Sequence, residues 1–306
     1  MTAALDFKKS PGLTRRAFLG SAAALSCLAA TVSVAAQRAR DPFFAAHHLP
    51  VGLQLYTLGD APYKDLDGTL KAVADIGYRT VEAVGFMKRS AAEFRAALDR
   101  AGLSCPSTHV ELDPDLAGDL GKLAADLHRI GAQYAIVSVY LEPARKGGEV
   151  TADQWRHLAA QLNEKGAALK REGLKLAVHN HNNDFVRYGS KTGYDLLLEN
   201  TDPALVWFEV DIGWVAAAGV DPIPLLHAHR GRFRLMHVKD LKRSTVPNTD
   251  YKMDPADVGS GYLDWKSIIP AGYDAGVRYY YVEQEPPFAG PRIEAARTDY
   301  EYLARL

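Results

Sequence analysis

Apolar runs of strand length recur along the chain after residue 50, and stretches with a helical pattern lie between them. A short apolar run bounded by turn residues is typical of a strand that is buried on both faces of a parallel sheet. Several intervening stretches end at glycine, a common signal for the end of a helix. The predicted strands are residues 51–57, 80–85, 106–112, 134–140, 175–181, 205–211, 233–240 and 279–285.

Eight strands that alternate with helices over about 260 residues predict a (β/α)₈ TIM barrel. A doubly wound open sheet is the alternative fold. Such a sheet would normally carry a glycine-rich phosphate loop after its first strand, and the stretch LYTLGDAPYKD shows no such pattern. We therefore expect a catalytic barrel over residues 51–306, preceded by a linker over residues 37–50.

The first 36 residues have the pattern of an export signal. The stretch LTRRAFLGSAAALSCLAATVSVAAQ places paired arginines before an alanine-rich apolar run and ends in small residues. Its order Thr-Arg-Arg-x-Phe-Leu resembles a twin-arginine signal, and an ordinary membrane anchor is the alternative. We expect a signal peptide over residues 1–36 and a periplasmic mature protein without a stable membrane anchor.

Charge and cysteine content narrow the expected function. The chain has 36 Lys and Arg against 37 Asp and Glu, so we do not expect nucleic acid as a partner. Of the two cysteines, Cys27 lies in the predicted signal, and Cys105 would then have no cysteine to pair with. The sequence does not define an oligomeric state.

Polar and charged side chains collect at the carboxyl ends of the predicted strands, where a barrel enzyme carries its active site. A charge in a parallel strand is costly unless it is paired or bound to a metal. One such residue would usually be structural, whereas many at the same end of a barrel indicate a shared site. They are Gln54, Tyr56, Glu82, His109, Glu111, His179, His181, Glu209, Asp211, His237, Lys239, Glu283 and Glu285.

The last four strands supply a candidate metal site made of His179, Asp211, His237 and Glu283. Mixed imidazole and carboxylate ligands suit Mn²⁺, Zn²⁺, Co²⁺ or Fe²⁺ better than Ca²⁺. Four protein ligands leave one or two positions for substrate oxygens, as a Lewis-acid catalyst requires. We expect one divalent ion, with Mn²⁺ as the first expectation, and hydrogen-bonded core residues as the alternative.

The motifs GLQLYT, STHVE, HNHNNDF, EVDIGWVAAAG, HVKD, VGSGYLDW and YVEQE carry a resemblance over residues 51–306. The chain resembles the xylose-isomerase-like TIM-barrel sugar phosphate isomerase/epimerase superfamily, which also includes sugar dehydratases and the endonuclease IV branch. It is most similar to an exported subgroup that begins with a twin-arginine signal. The resemblance implies metal ligands on strands five to eight, usually Glu, Asp, His and Glu. Asp211, His237 and Glu283 match that order by residue type.

His179 departs from this pattern, because the epimerases of the superfamily have Glu at that position. In those enzymes two glutamates remove and return a proton on opposite faces of the sugar, so this two-base mechanism is in doubt here. His181 is then a candidate base or substrate contact. The following residues, NNDFV, also differ from the Asp-Phe-Glu-Phe of the subgroup, and no carboxylate role is carried over to them.

The remaining site residues have both functional and structural interpretations. Lys239 could stabilise an enolate oxygen or pair with a carboxylate, and His109 could act as acid or base or be a structural histidine. The expected catalytic residues are His181, Glu283, Lys239 and His109. The expected substrate contacts are Gln54, Tyr56, Glu82, Glu111 and Trp214, with helix capping and core packing as alternatives.

The expected chemistry is metal-assisted removal of a proton next to a sugar carbonyl. Return of the proton to a neighbouring carbon would make the protein an isomerase or epimerase, which is our main prediction. Loss of the β-substituent would make it a keto-glycoside lyase or dehydratase, which is the alternative, and a non-catalytic sugar-binding protein is a third possibility. Because phosphorylated sugars are mostly kept in the cytoplasm, an exported enzyme is expected to act on a free sugar or glycoside.

Overall fold

The computed structural model of the protein describes residues 41–138 and 149–306. Within these residues, parallel strands close into a barrel in chain order, and the last strand pairs with the first. The barrel strands are β1 (Val51–Gln54), β2 (Thr80–Val84), β3 (Ser104–His109), β4 (Tyr134–Ser138), β5 (Lys175–His179), β6 (Val206–Asp211), β7 (Phe233–Val238) and β8 (Tyr279–Val282). The predicted (β/α)₈ barrel is confirmed.

Helices follow the strands and pack around the barrel. They are α1 (Phe43–Ala46), α2 (Ala61–Lys64), α3 (Leu66–Ile76), α4 (Ala91–Ala101), α5 (Leu120–Ile130), α6 (Ala152–Arg171), α7 (Gly193–Asn200), α8 (Ile212–Ala217), α9 (Pro222–Ala228), α10 (Trp265–Ala275) and α11 (Arg292–Leu303). Ser90 and Glu93 form a reciprocal capping box at the start of α4. Gly102 ends that helix in the left-handed conformation with φ of 67°, as its place in the sequence predicts.

Several barrel strands end earlier than predicted. β1 ends at Gln54 because residues Leu55–Leu58 form a 3₁₀ turn, and β8 ends at Val282 rather than at residue 285. Tyr56, His181 and Glu285 therefore lie just beyond the strands rather than on them. These three polar residues lie where the chain has left the hydrogen-bonded sheet and turns over the mouth of the barrel. Residues 139 and 140 of the fourth predicted strand lie outside the described residues.

The compact barrel unit runs from Phe43 to Leu306. Helix α1 lies within the range predicted as a linker. Its Phe44 is buried with the ring centroid 5.4 Å from that of Tyr280, and the Phe43 N–H donates to the Leu306 carbonyl over 2.7 Å. The predicted signal peptide lies outside the described residues, in which no helix is long and apolar enough to cross a bilayer.

The barrel interior changes character along its axis. An apolar cluster of Tyr134, Ile136, Ala177, Leu235 and Tyr281 fills its lower part. Polar side chains follow two residues further along several strands, as at Glu209 and Asp211 of β6, because alternate residues of a strand face the same side. The fold therefore places a polar layer on an apolar floor at the carboxyl ends of the strands.

Candidate active site

A cavity of about 520 Å³ opens at the carboxyl ends of the barrel strands. Its size is within the range of small-molecule binding sites. The predicted residues that line it are Gln54, Tyr56, His109, Glu111, His179, His181, Trp214 and Glu283. The polar lining also includes Asp115, Ser138, Tyr251 and Glu285, to which the sequence analysis assigned no role.

The other predicted site residues are not part of the cavity lining, and their side chains are almost fully buried in the barrel. Glu82, Asp211 and His237 are fully buried, and Lys239 is 1% exposed. Buried charges of this kind require partners, since burial of an isolated ion is costly. The structure supplies these partners from strands on opposite sides of the barrel.

The ionisable side chains form two overlapping clusters. The outer cluster contains His179, Asp211, His237 and Glu283, and its ligand atoms lie within 4.8 Å of one another. The inner cluster contains His109, His179, Glu209 and His237 with equally close ligand atoms. Glu209 precedes Asp211 by two residues on β6, and that spacing is the sequence signal from which its position could have been inferred.

Two buried carboxylates organise the inner cluster. Glu209 Oε2 lies 3.2 Å from His109 Nε2, 3.2 Å from His179 Nδ1 and 3.3 Å from His237 Nε2. Glu82 Oε1 lies 3.0 Å from His109 Nε2 and 2.8 Å from His237 Nε2, and it accepts a 2.8 Å hydrogen bond from Gln54 Nε2. Three imidazoles from β3, β5 and β7 thus converge on two carboxylates.

The two carboxylates of the outer cluster are both paired with the ammonium group of Lys239. Lys239 Nζ lies 2.9 Å from Asp211 Oδ2, 2.9 Å from Glu283 Oε2 and 2.7 Å from Glu285 Oε1. His237 Nδ1 lies 2.9 Å from the same Glu283 oxygen. Carboxylate pairing was one of the two interpretations of Lys239 from the sequence, and the geometry displays it directly.

The surroundings of His109 and His181, two histidines of the cavity lining, shift their pKa values in opposite directions. Burial by itself lowers the pKa of His109, but the carboxylates of Glu82 and Glu209 raise it to about 9. Burial and the nearby Lys239 charge lower the pKa of His181 to about 3. At neutral pH His109 is a proton donor, whereas His181 is a neutral imidazole.

The outer cluster fits a divalent ion by its donor chemistry. It combines two imidazoles with two carboxylates from four strands, and its carboxylates already hold an ammonium group. In the inner cluster, His237 Nε2 is closer to Glu82 than to Glu209, at 2.8 Å against 3.3 Å, so this nitrogen is within hydrogen-bond distance of a carboxylate outside that cluster. The outer cluster offers two carboxylates and the inner cluster only one, so the outer cluster is the better candidate for a divalent ion.

The loop after β7 is anchored by Asp240, a residue to which the sequence analysis assigned no role. Its carboxylate accepts the N–H groups of Gly259 over 2.9 Å and Gly261 over 3.2 Å, and the Trp265 indole N–H over 2.9 Å. A Cβ at Gly261 would lie 2.1 Å from Asp240 Oδ1, so glycine is required there. This anchoring fixes the loop that joins the barrel to α10.

The predicted substrate contacts occupy different depths of the cavity. Tyr56 is 52% exposed at the mouth of the cavity, whereas Trp214 is almost fully buried. Lys239 Nζ lies 5.0 Å from the Trp214 ring centroid, a cation–π contact. Glu111 lies on the loop after β3, where its backbone N–H donates to Asp115 Oδ2. Tyr251 comes from a long loop without strand or helix periodicity, so no local signal pointed to it. The roles of these residues stay predictions.

Comparison with known proteins identifies the family of this barrel. Residues 70–306 match the family model described as Xylose isomerase-like TIM barrel. The chain belongs to this family. The predicted membership of the xylose-isomerase-like superfamily is therefore confirmed, whereas the exported twin-arginine subgroup stays a prediction.

Relatives matched by sequence include dehydratases. The chain is 28% identical to the inosose dehydratase of Geobacillus kaustophilus over 273 residues, which is 78% of this chain and 87% of that enzyme. It is 33% identical to the inosose dehydratase of Clostridium tetani over 166 residues, which is 50% of this chain and 55% of that enzyme. The second of these two relatives is thus matched over only about half of its own length.

A solved structure in the comparison supports the fold. The sugar phosphate isomerase/epimerase from Parabacteroides distasonis ATCC 8503 superposes with a TM-score of 0.68 at 23% identity, covering 84% of this chain and 94% of that one. Family, fold and relatives together make the protein an enzyme of the xylose isomerase-like superfamily. The cavity with its two clusters is the candidate active site.

Proposed function

We propose that the protein is a metal-dependent lyase that eliminates a β-substituent from a cyclic polyhydroxy ketone. This was the alternative in the sequence analysis, and the inosose dehydratase relatives favour it over the isomerase or epimerase of our main prediction. An inosose is a polyhydroxylated ring with one carbonyl group. A keto sugar or keto-glycoside presents the same reacting atoms.

The observation that carries this proposal is the pair of imidazoles beside the outer cluster. His109 and His181 both line the cavity, with ring centroids 5.2 Å and 4.9 Å from that of His179. Elimination needs a base for a carbon-bound proton and an acid for the departing oxygen. His109 and His181 are imidazoles of the cavity lining that lie outside the outer cluster, and an imidazole can fill either role.

In the proposed reaction, His181 removes the proton on the carbon next to the carbonyl, and the C–H electron pair moves into an enolate. The Lys239 ammonium adds a fixed positive charge close to the developing oxygen charge. The C–O bond on the β-carbon then breaks to form a C=C bond, and His109 protonates the departing oxygen as water or alcohol. Trp214 and Tyr56 contact the ring, and Gln54 and Glu111 bind its hydroxyl groups.

The outer cluster would hold the divalent ion that this proposal requires. Such an ion polarises a carbonyl oxygen and lowers the free energy of a developing enolate. His179, Asp211, His237 and Glu283 would be its ligands. We propose Mn²⁺ as the bound ion, with Zn²⁺, Co²⁺ or Fe²⁺ as replacements, because imidazole and carboxylate ligands accommodate all four.

We also propose that the substrate is unphosphorylated and that the enzyme acts in the periplasm. The twin-arginine pattern of residues 1–36 supports export. In the loop after β7, the N–H groups of Gly259 and Gly261 donate to Asp240, so they are not free to bind a phosphate. Free inososes, keto sugars and keto-glycosides are therefore the first substrates to test.

The test is incubation of the Mn²⁺-loaded enzyme in D₂O with an inosose, a 3-keto-glycoside and free hexoses, followed by metal removal, NMR and mass spectrometry. A new unsaturated ketone with loss of water or alcohol supports the lyase. Deuterium uptake with an unchanged skeleton supports an isomerase or epimerase instead. No change in any compound contradicts both enzymes and favours a binding protein.

Two variants sharpen this test. His109→Gln should still exchange the α-proton but lose elimination by about 10²–10⁴-fold, because only the acid is removed. His181→Gln should lose both exchange and elimination, because proton removal comes first. Equal loss of exchange in the two variants would contradict the assigned roles.

A further inference from the structure

The two histidines of the outer cluster also contact buried carboxylates outside that cluster: His237 contacts Glu82, and His179 contacts Glu209. His237 Nδ1 lies 2.9 Å from Glu283 Oε2 in the outer cluster, and its Nε2 lies 2.8 Å from Glu82 Oε1. His179 Nδ1 lies 3.2 Å from Glu209 Oε2. Each imidazole therefore has one ring nitrogen within 3.2 Å of a buried glutamate that lies outside the outer cluster.

We propose that Glu82 and Glu209 are positioning residues that select the ring nitrogens with which His237 and His179 bind a cation. A neutral imidazole carries one N–H and one lone pair. If His237 Nε2–H donates to Glu82, the lone pair resides on Nδ1, the nitrogen that faces the outer cluster. If His179 Nδ1–H donates to Glu209, the lone pair resides on Nε2. The proposal rests on the cation site of the proposed function but not on the reaction.

Glu82 is held in place for this role by its other contacts. It is fully buried, accepts a hydrogen bond from Gln54 Nε2 over 2.8 Å, and accepts one from Ser107 Oγ over 2.5 Å. Gln54, Glu82 and Ser107 are direct cross-strand partners on β1, β2 and β3. The hydrogen bonds of rigid neighbouring strands thus fix the carboxylate, and the carboxylate in turn fixes the His237 ring.

Glu209 contacts the histidines without such a framework of neutral donors. Its Oε2 has three imidazole nitrogens within 3.3 Å, whereas its buried Oε1 has no hydrogen-bond partner among the described residues. Among the described residues, the close polar contacts of the Glu209 carboxylate are therefore with imidazole nitrogens and not with backbone groups. Carboxylates that accept the second N–H of a metal-bound histidine raise its basicity and fix its tautomer.

The test measures Mn²⁺ affinity in Glu82→Gln and Glu209→Gln, with free Mn²⁺ followed by electron paramagnetic resonance. Glutamine keeps the size of the side chain but loses the charge, so we expect Kd to rise about 10–100-fold. Tyr78→Phe is the matched control. It removes a buried hydroxyl that donates to the Ala296 carbonyl and contacts neither glutamate, and Kd should stay within about two-fold. Unchanged Kd in both glutamate variants would overturn the proposal.

A second measurement keeps the inference testable if either variant fails to fold. In the ¹⁵N-histidine-labelled wild-type enzyme with Zn²⁺, NMR should show His237 protonated on Nε2 and His179 protonated on Nδ1. The opposite tautomers would overturn the proposal, and so would two bound metal equivalents, because the inner cluster would then itself bind an ion. Neither measurement requires turnover, so a failed dehydratase assay would leave this inference unaffected.

Discussion

At the scale of single residues, the barrel interior is organised by charge pairing across strands. Lys239 is 1% exposed and contacts Asp211, Glu283 and Glu285, each within 2.9 Å. Burial by itself lowers the pKa of Lys239, but the three carboxylates raise it well above its usual value. The ammonium group therefore stays charged and neutralises part of the outer cluster.

We expect Lys239→Met to lower the free energy of unfolding of the metal-free protein by about 3–5 kcal/mol, because it leaves buried carboxylates without their cation. Saturating Mn²⁺ should recover part of this loss, since the ion would neutralise Asp211 and Glu283. Urea unfolding with Mn²⁺ or with chelator measures both quantities.

The control for this experiment is Lys242→Met. The Lys242 ammonium pairs with Asp254 at a largely exposed position, with 54% of the Lys242 side chain accessible. Its loss should change the free energy of unfolding by about 1 kcal/mol or less. An equal destabilisation of Lys239→Met with and without Mn²⁺ would contradict a shared cation site.

At the scale of elements, the loops after the strands are fixed by side chains at the strand ends. The Asp240 carboxylate follows β7 and accepts N–H groups from Leu241, Gly259, Gly261 and Leu263 over 2.8–3.3 Å. It also accepts the indole N–H of Trp265 at the start of α10. One buried side chain thus satisfies donors that would otherwise be left without acceptors.

We expect Asp240→Ala to lower the free energy of unfolding by about 3–5 kcal/mol, because each unsatisfied buried donor costs about 1–3 kcal/mol. Hydrogen exchange at Gly259 and Gly261 should accelerate with it. Asp264→Ala is the control, since that exposed carboxylate accepts only a Ser267 hydroxyl among the described residues, and it should change stability by about 1 kcal/mol or less. Unchanged exchange at the two glycines would exclude Asp240 as the anchor.

At the scale of the whole molecule, the last helix closes the barrel onto its beginning. The Tyr78 hydroxyl before β2 donates to the Ala296 carbonyl of α11 over 2.7 Å. In the same helix, fully buried Asp299 accepts the Val258 N–H over 2.6 Å from the loop after β7. Burial, opposed by this hydrogen bond, raises the pKa of Asp299 to about 8.

This pKa predicts a pH-dependent stability with a definite sign. In the unfolded chain an aspartate loses its proton near pH 3.9, whereas folded Asp299 keeps it to about pH 8. Between these values the folded state binds the extra proton, so this group lowers stability as pH rises, by at most ~1.4 kcal/mol per pH unit. Above about pH 8 the contribution no longer changes.

Asp299→Asn should remove this slope. We expect the variant to gain stability relative to the wild type between pH 5 and pH 8, measured by urea unfolding at both values. Asp274→Asn, at an exposed position of α10, is the control and should leave the curve unchanged. A stability difference between the two proteins that stays constant from pH 5 to pH 8 would show that buried Asp299 is already ionised at pH 5.

Much of the fold could be predicted from the sequence because strand and helix patterns are local. The alternation of apolar runs with helical stretches defined the barrel, and glycines such as Gly77 and Gly131 marked helix ends. Parallel strands bring their carboxyl ends together, so the polar residues at those ends had to meet. For this reason His179, Asp211, His237 and Glu283 form one cluster as predicted.

Only the tertiary structure decided how these side chains interact. His237 contacts Glu82, which is 155 residues away in sequence, and no local pattern specifies which ring nitrogen faces it. The partners of Lys239, the inner position of Glu209 and the arrival of Tyr251 at the cavity depend on neighbours across the barrel. Side-chain alternation along a strand is set by backbone geometry, whereas ring orientation and charge pairing are set by contacts between distant strands.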